Sequence, residues 1–207
     1  MTYALLRFVH LVGVTFMGAG LLGVWLADLR SRQVSDLVRF AEAIHSIAVF
    51  YDGVVAPGAV ILFVSGTWMT AEVWGGWEFT QQPWLAGMML LFIIEFVEGN
   101  TVARLYFMRL RRLTNEALAQ GVSTPELSRT RQEQLPTFTH FLDIPMLMVI
   151  VSLGAIRPMT WTQFVIGTLC ALAVAAALTI WIPRLYPWAP PPPITPHEST
   201  DGSRAAG

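Results

Sequence analysis

Acidic residues and histidines sit inside, or at the edge of, stretches of this chain that are otherwise apolar, and their spacing sets them in groups. Glu42, His45 and Asp52 are separated by three and then seven residues, so on a helix they fall on one stripe together with Val49. Glu95 and Glu98 share a helical face, and so do His140 and Asp143. An ionisable group at bilayer depth costs between about 2.5 and 17 kcal/mol and is therefore expected to face the bundle interior and to do something there. Three chemistries fit such a set. Carboxylates with a Glu-x-x-His pair, here Glu42 to His45, build di-iron and di-manganese centres, and the same donors suit a divalent iron, manganese or zinc ion. A chain of titratable groups relays protons or passes ions. A hydrogen-bonded network of the same residues fixes helix packing and nothing more. Two neighbouring glutamates on one apolar face cannot both stay ionised without a cation.

The elements that must position these residues follow from composition. Of 207 residues, 54% are hydrophobic and 13% charged, which excludes both a soluble domain and a disordered chain. Apolar runs long enough to cross about 30 Å of hydrocarbon lie near 3–28, 47–73, 84–108, 137–156 and 160–183. The expected fold is an all-α, five-span membrane bundle, a single domain over 1–186, with a disordered proline-rich tail over 187–207 that carries His197. The first run is too long for a signal peptide and is followed by Asp28-Leu-Arg30-Ser-Arg32, so it reads as a retained span. All 13 basic residues are arginine. Most fall between spans one and two, after span three, or after span five; Arg7 and Arg157 alone lie on the other side. The positive-inside rule then sets the N-terminus outside and the C-terminus in the cytoplasm. Trp74, Trp77, Trp84 and Trp161 mark the outer boundary; Trp25, Trp181, Tyr186 and Trp188 mark the inner one.

Two spans extend past the bilayer. Asp36 is a suitable N-cap for an amphipathic approach to span two, and span three continues to about Gln120, where Gly121 can supply a left-handed residue. Thr124-Pro125-Glu126 opens a short helix. At 1.5 Å per residue, Glu98 comes out roughly 20 Å from the outer boundary. Asp52, His140 and Asp143 fall within about a turn of that level, so the groups are expected to share one layer in the inner half of the membrane. Cys170 is alone, which excludes an intrachain disulfide. The arginines from Arg104 to Arg112 read as a topology signal facing anionic lipid, not as a nucleic-acid surface. His10 stands apart, in span one, ahead of Gly13, Met17, Gly18 and Gly20. It is either a packing residue or an axial haem ligand.

Leu6-Arg7-Phe8-Val9-His10 opening a span that ends in Asp28-Leu29-Arg30 resembles the start of a bacterial family of membrane proteins, domain-of-unknown-function 2269. Further likeness lies in His45 with Asp52 and Pro57 ahead of Ser65-Gly66-Thr67-Trp68-Met69, in Trp84-Leu85 with Arg109-Leu-Arg111-Arg112-Leu, and in Pro145 before Arg157-Pro158. That family is itself similar to HemJ-type protoporphyrinogen oxidases and CopD-like proteins. The resemblance covers roughly residues 3 to 183 and implies a small helical bundle in the bacterial inner membrane. Through the HemJ branch it implies haem b held by the first-span histidine, His10. Those oxidases also use a lysine in the third span; this chain has none and carries Glu95 and Glu98 there. The expected function is a redox-linked membrane protein binding haem or a metal, an oxidoreductase if it is an enzyme. The alternatives are a proton-coupled carrier using Glu95, Glu98, Asp52 and Asp143, or a scaffold subunit. The expected partners are the lipid bilayer and a second copy or a larger membrane assembly.

Overall fold

A computed structural model describes residues 2–75 and 77–189, and every regular element among them is helical. Helix α1 covers Thr2–Arg32, α2 Leu37–Trp74, α3 Pro83–Gln120, α4 Pro125–Thr130, α5 Gln134–Ile156 and α6 Thr162–Leu185. Five of them, α1, α2, α3, α5 and α6, are long and apolar enough to cross a membrane. The bundle has two ends: an N-terminal face with Arg7, Trp74, Trp84 and Arg157, and an arginine-rich face holding the α1–α2 and α3–α5 links.

Local sequence explains where helices start and stop. The Asp36 carboxylate accepts the Arg39 N–H at 2.9 Å, and Thr124 Oγ1 accepts the Leu127 N–H at 3.2 Å, two side-chain caps at the expected positions. Gly121 closes α3 with φ of 68°, as its lack of a Cβ permits. At 38 residues each, α2 and α3 run about 57 Å. That is nearly twice the hydrocarbon thickness, so each projects well beyond the arginine-rich face. There Phe40, Ile44 and Ile47 of α2 pack with Leu110, Leu113 and Ala117 of α3 and Leu127 of α4. This core lies where water is the solvent, so apolar burial itself holds it together.

Within the membrane the means of attachment differ, because lipid is as apolar as the side chains. Helix α1 meets α2 backbone to backbone: a Cβ on Gly58 would come within 2.7 Å of the Met17 nitrogen, and one on Gly20 within 2.9 Å of the Val55 nitrogen. Helix α3 packs on α5 with its first half and on α2 with its second. Helix α5 is central, with 50% of its most apolar window buried, whereas α6 leans on α5 and buries only 11% of its own.

Both long helices contain one wide π-helical turn, Tyr51–Val55 in α2 and Gly99–Ala103 in α3. Pro57 accounts for the first: it has no N–H and its ring crowds the carbonyl four residues back, so the Ala56 N–H reaches to the Tyr51 carbonyl instead. In the second, Asn100 Nδ2 donates to the Phe96 carbonyl at 2.8 Å and Thr101 Oγ1 to that of Val97 at 2.6 Å, competing with the helix for its acceptors. The two turns touch, the Tyr51 hydroxyl lying where a Cβ on Gly99 would be 2.7 Å away. Such turns gather at functional sites. Residues 190–207, most of the expected tail, lie outside the described residues.

Candidate functional site

Two features lie one above the other along the bundle axis. The first is a cavity of about 420 Å³ opening toward the N-terminal face. Helices α1, α2, α3 and α5 wall it with Leu62, Phe63, Met88, Phe92, Leu147 and Ile150, and Arg7 and Arg157 stand among its lining residues at that end. Arg157 also lies over the Trp84 ring, 5.3 Å from its centroid.

His10 faces this cavity. Its Nδ1 is 3.0 Å from Ser65 Oγ, and Ser65 Oγ donates its own proton to the Ile61 carbonyl at 2.5 Å. A hydroxyl has one proton to give, so toward His10 the serine oxygen is an acceptor. The imidazole proton is thereby assigned to Nδ1, and the lone pair to Nε2. Gly66 lets the ring approach, since a Cβ there would sit 3.2 Å from His10 Cε1.

The second feature lies below the cavity floor, toward the arginine-rich face. Asp143 is one turn beneath the floor residue Leu147 on α5, and Glu95 one turn beneath Phe92 on α3. Asp143 lies within electrostatic reach of both Glu95 and Glu98. Glu98 faces Thr139, and both of its buried carboxylate oxygens lack a hydrogen-bond partner. His140 is 3% exposed, and its Nδ1 is 3.8 Å from Asp143 Oδ2 while its Nε2 is 3.9 Å from Asp28 Oδ2. Both separations exceed a hydrogen bond, so both ring nitrogens are buried without a partner. Phe107, Phe141 and Trp25 box the ring, with centroids 5.6, 5.2 and 6.3 Å away. Asp28 in turn accepts from Arg32 Nε at 2.9 Å, and both of these side chains are buried.

The layer expected from the sequence is therefore partly corrected. Glu95, Glu98, His140 and Asp143 come together; Glu42, His45 and Asp52 do not join them. Those three do share a stripe with Val49, but α2 buries the opposite one, Phe40, Ala43, Ile44 and Ile47. Glu42 and His45 line a surface groove with Arg111 and Asn115 of α3. Asp52 is exposed and faces Arg104 at 3.4 Å. Among the described residues no three His, Cys, Asp or Glu side chains stand where they could share a metal ion. Asp28, Arg32 and Ser65 were not singled out as site residues. A signal for Asp28 was present: it continues the buried stripe Met17, Leu21, Val24, and Arg32 follows it at i+4.

At the arginine-rich face, outside the spans, Arg131 lies 3.7 Å over the Phe40 ring. Burial pushes its guanidinium down to about 10, which leaves it charged at neutral pH.

Five membrane-length helices, four of them walling a histidine-faced cavity, define a multi-pass integral membrane protein. The chain belongs to the family described as "Predicted integral membrane protein (DUF2269)", which it matches over residues 4–158. No curated protein and no solved structure matches it. The family match covers α1, α2, α3, α4 and α5 almost entirely, and with them every residue of the cavity and the ladder named above.

Proposed function

We propose that the protein is a redox-linked haem b protein of a bacterial inner membrane, with the N-terminal face outside and the arginine-rich face in the cytoplasm. The observation that carries the reading is the His10 imidazole, oriented through Nδ1 by Ser65 and lining a cavity of about 420 Å³. That volume falls within the range of small-molecule sites. A hydrogen bond at the far nitrogen is how ligating histidines are usually fixed in tautomer and orientation. Haem is a flat apolar macrocycle with two anionic propionates. The cavity offers it apolar walls, a nitrogen ligand from His10, and the guanidinium groups of Arg7 and Arg157 for the carboxylates. Met69, Met88 and Met89 also line the cavity and offer thioether sulfur. When bound, the group supplies one-electron chemistry; the protein's own residues orient it and wall it from lipid. Protoporphyrinogen oxidation is not part of the proposal, because the chain has no lysine to match the one those oxidases use. Topology rests on the asymmetry of arginine between the two faces.

The test is a hemin titration of detergent-purified protein followed by absorbance. One equivalent is expected to bind to the wild type and to Glu98→Gln, and none to His10→Ala. Equal binding to wild type and His10→Ala, or no binding to either, overturns the assignment.

A further inference from the structure

We propose that Asp28, His140 and Asp143, with Glu98 beside them and Glu95 above, form a proton path from the arginine-rich face to the floor of the His10 cavity, and that Trp188 covers its mouth. The path is new to the reading above and stands whether or not the cavity holds haem.

The order of groups along the bundle axis carries it. Arg32 and Asp28 come from the end of α1, His140 and Asp143 from the first half of α5, and Glu95 and Glu98 from α3. Tyr51 of α2 and Tyr106 of α3 face the same groups, Tyr51 lying near Asp143 and Glu98 and Tyr106 near Asp28 and Arg32. A polar ring buried without a hydrogen-bond partner is costly to the fold. His140 stands between two carboxylates with one nitrogen toward each, at 3.9 and 3.8 Å. An imidazole in that position, starting with its proton on Nδ1, takes a proton on Nε2 from the Asp28 side and gives the Nδ1 proton to Asp143; rotation of the ring about its Cβ–Cγ bond then restores the starting arrangement without returning the proton. No electrons move, and each transfer breaks one N–H or O–H bond as it forms another. Gaps of this size are closed by a rotamer shift or by one bridging water. Asp143 and Glu95 then lie a single helical turn from the cavity, which opens at the N-terminal face.

The mouth at the arginine-rich face is covered. After α6 the chain turns back, and the Ala189 N–H donates to the Arg32 carbonyl at 2.8 Å. This holds the Trp188 ring 4.6 Å from the Arg32 guanidinium and 5.6 Å from that of Arg131, over the only ion pair between Asp28 and that end of the bundle among the described residues.

The experiment is proton flux into liposomes that hold the purified full-length protein and the trapped dye pyranine, driven by a potassium gradient with valinomycin. Wild type is expected to carry protons well above protein-free vesicles. His140→Phe and Asp143→Asn are expected to reduce that flux at least tenfold, and Trp188→Ala to raise it. Wild-type flux no greater than that of protein-free vesicles overturns the path, as does full flux in both His140→Phe and Asp143→Asn. Unchanged flux in Trp188→Ala removes the cover. Circular dichroism checks folding; if His140→Phe does not fold, Asp143→Asn, which keeps side-chain volume, decides alone. Hemin binding without flux overturns the path only, and flux without hemin binding overturns the haem reading only.

Discussion

Replacing Asp28 with alanine removes one half of a buried ion pair and strands the other. Arg32 Nε and Asp28 Oδ2 are 2.9 Å apart, and the two side chains are 3% and 7% exposed. Breaking such a pair by deleting one partner costs roughly 3–5 kcal/mol, because the remaining charge keeps its desolvation penalty and loses its compensation. Removing both charges together, as Asp28→Leu with Arg32→Met, relieves that penalty. It gives up the contact of the Arg32 guanidinium with the Trp188 ring, worth about 0.5–2 kcal/mol. The double variant is therefore expected within about 2 kcal/mol of wild type; since Arg32→Met alone strands the Asp28 carboxylate at a similar cost, the cycle of Asp28→Leu and Arg32→Met should show coupling of roughly 4 kcal/mol or more. Unfolding by sodium dodecyl sulfate in mixed micelles, followed by circular dichroism, measures this. A cost below about 1 kcal/mol for Asp28→Ala, the value for a solvated pair, refutes the reasoning: Asp28 would then be in water and the ladder open at its base.

Other perturbations separate the parts of the account. Gly58→Ala pushes a methyl group onto the Met17 backbone nitrogen and should destabilise by about 1–3 kcal/mol in the same unfolding assay. Gly53→Ala, with nothing within 4 Å of its Cβ, should cost nothing. Ser65→Ala removes the acceptor that orients His10 and should weaken hemin binding about 10–100-fold in the titration, while leaving the secondary structure seen by circular dichroism unchanged. Glu42→Ala and His45→Ala, both at exposed positions, should leave stability within about 0.5 kcal/mol of wild type.

The spans, their projecting ends and the caps were legible because each depends on residues close in sequence: apolar runs of a given length, Asp36 and Thr124 at N-caps, Gly121 at a C-terminus. The wide turns were less so, although Pro57 and the Gly99-Asn100-Thr101 run that cause them were in plain view. Site membership was read half correctly for a physical reason. Helical spacing tells which residues share a face, as it did for Glu42, His45, Val49 and Asp52, but not which face turns inward. In a soluble helix the apolar side answers that question. The stretch from Glu42 to Val49 projects into water and follows that rule, its apolar stripe Phe40, Ile44 and Ile47 turning inward; within lipid both sides are apolar, so the rule gives no answer for His140 and Asp143. What fixes the rotation of α1 against α2 is the contact of Gly20 and Gly58 with facing backbone. That contact depends on two separate segments. Asp28 and Ser65 gain their roles only from partners on other helices, His140 for the first and His10 for the second.

One spectrum tests directly what the His10 cavity holds: the dithionite-reduced minus oxidised difference spectrum of the protein purified from a haem-synthesising host. A b-type α-band and Soret shift at one haem per chain in the wild type, absent from His10→Ala, is the predicted result. A flat difference spectrum for the wild type, or the same bands in His10→Ala, contradicts it.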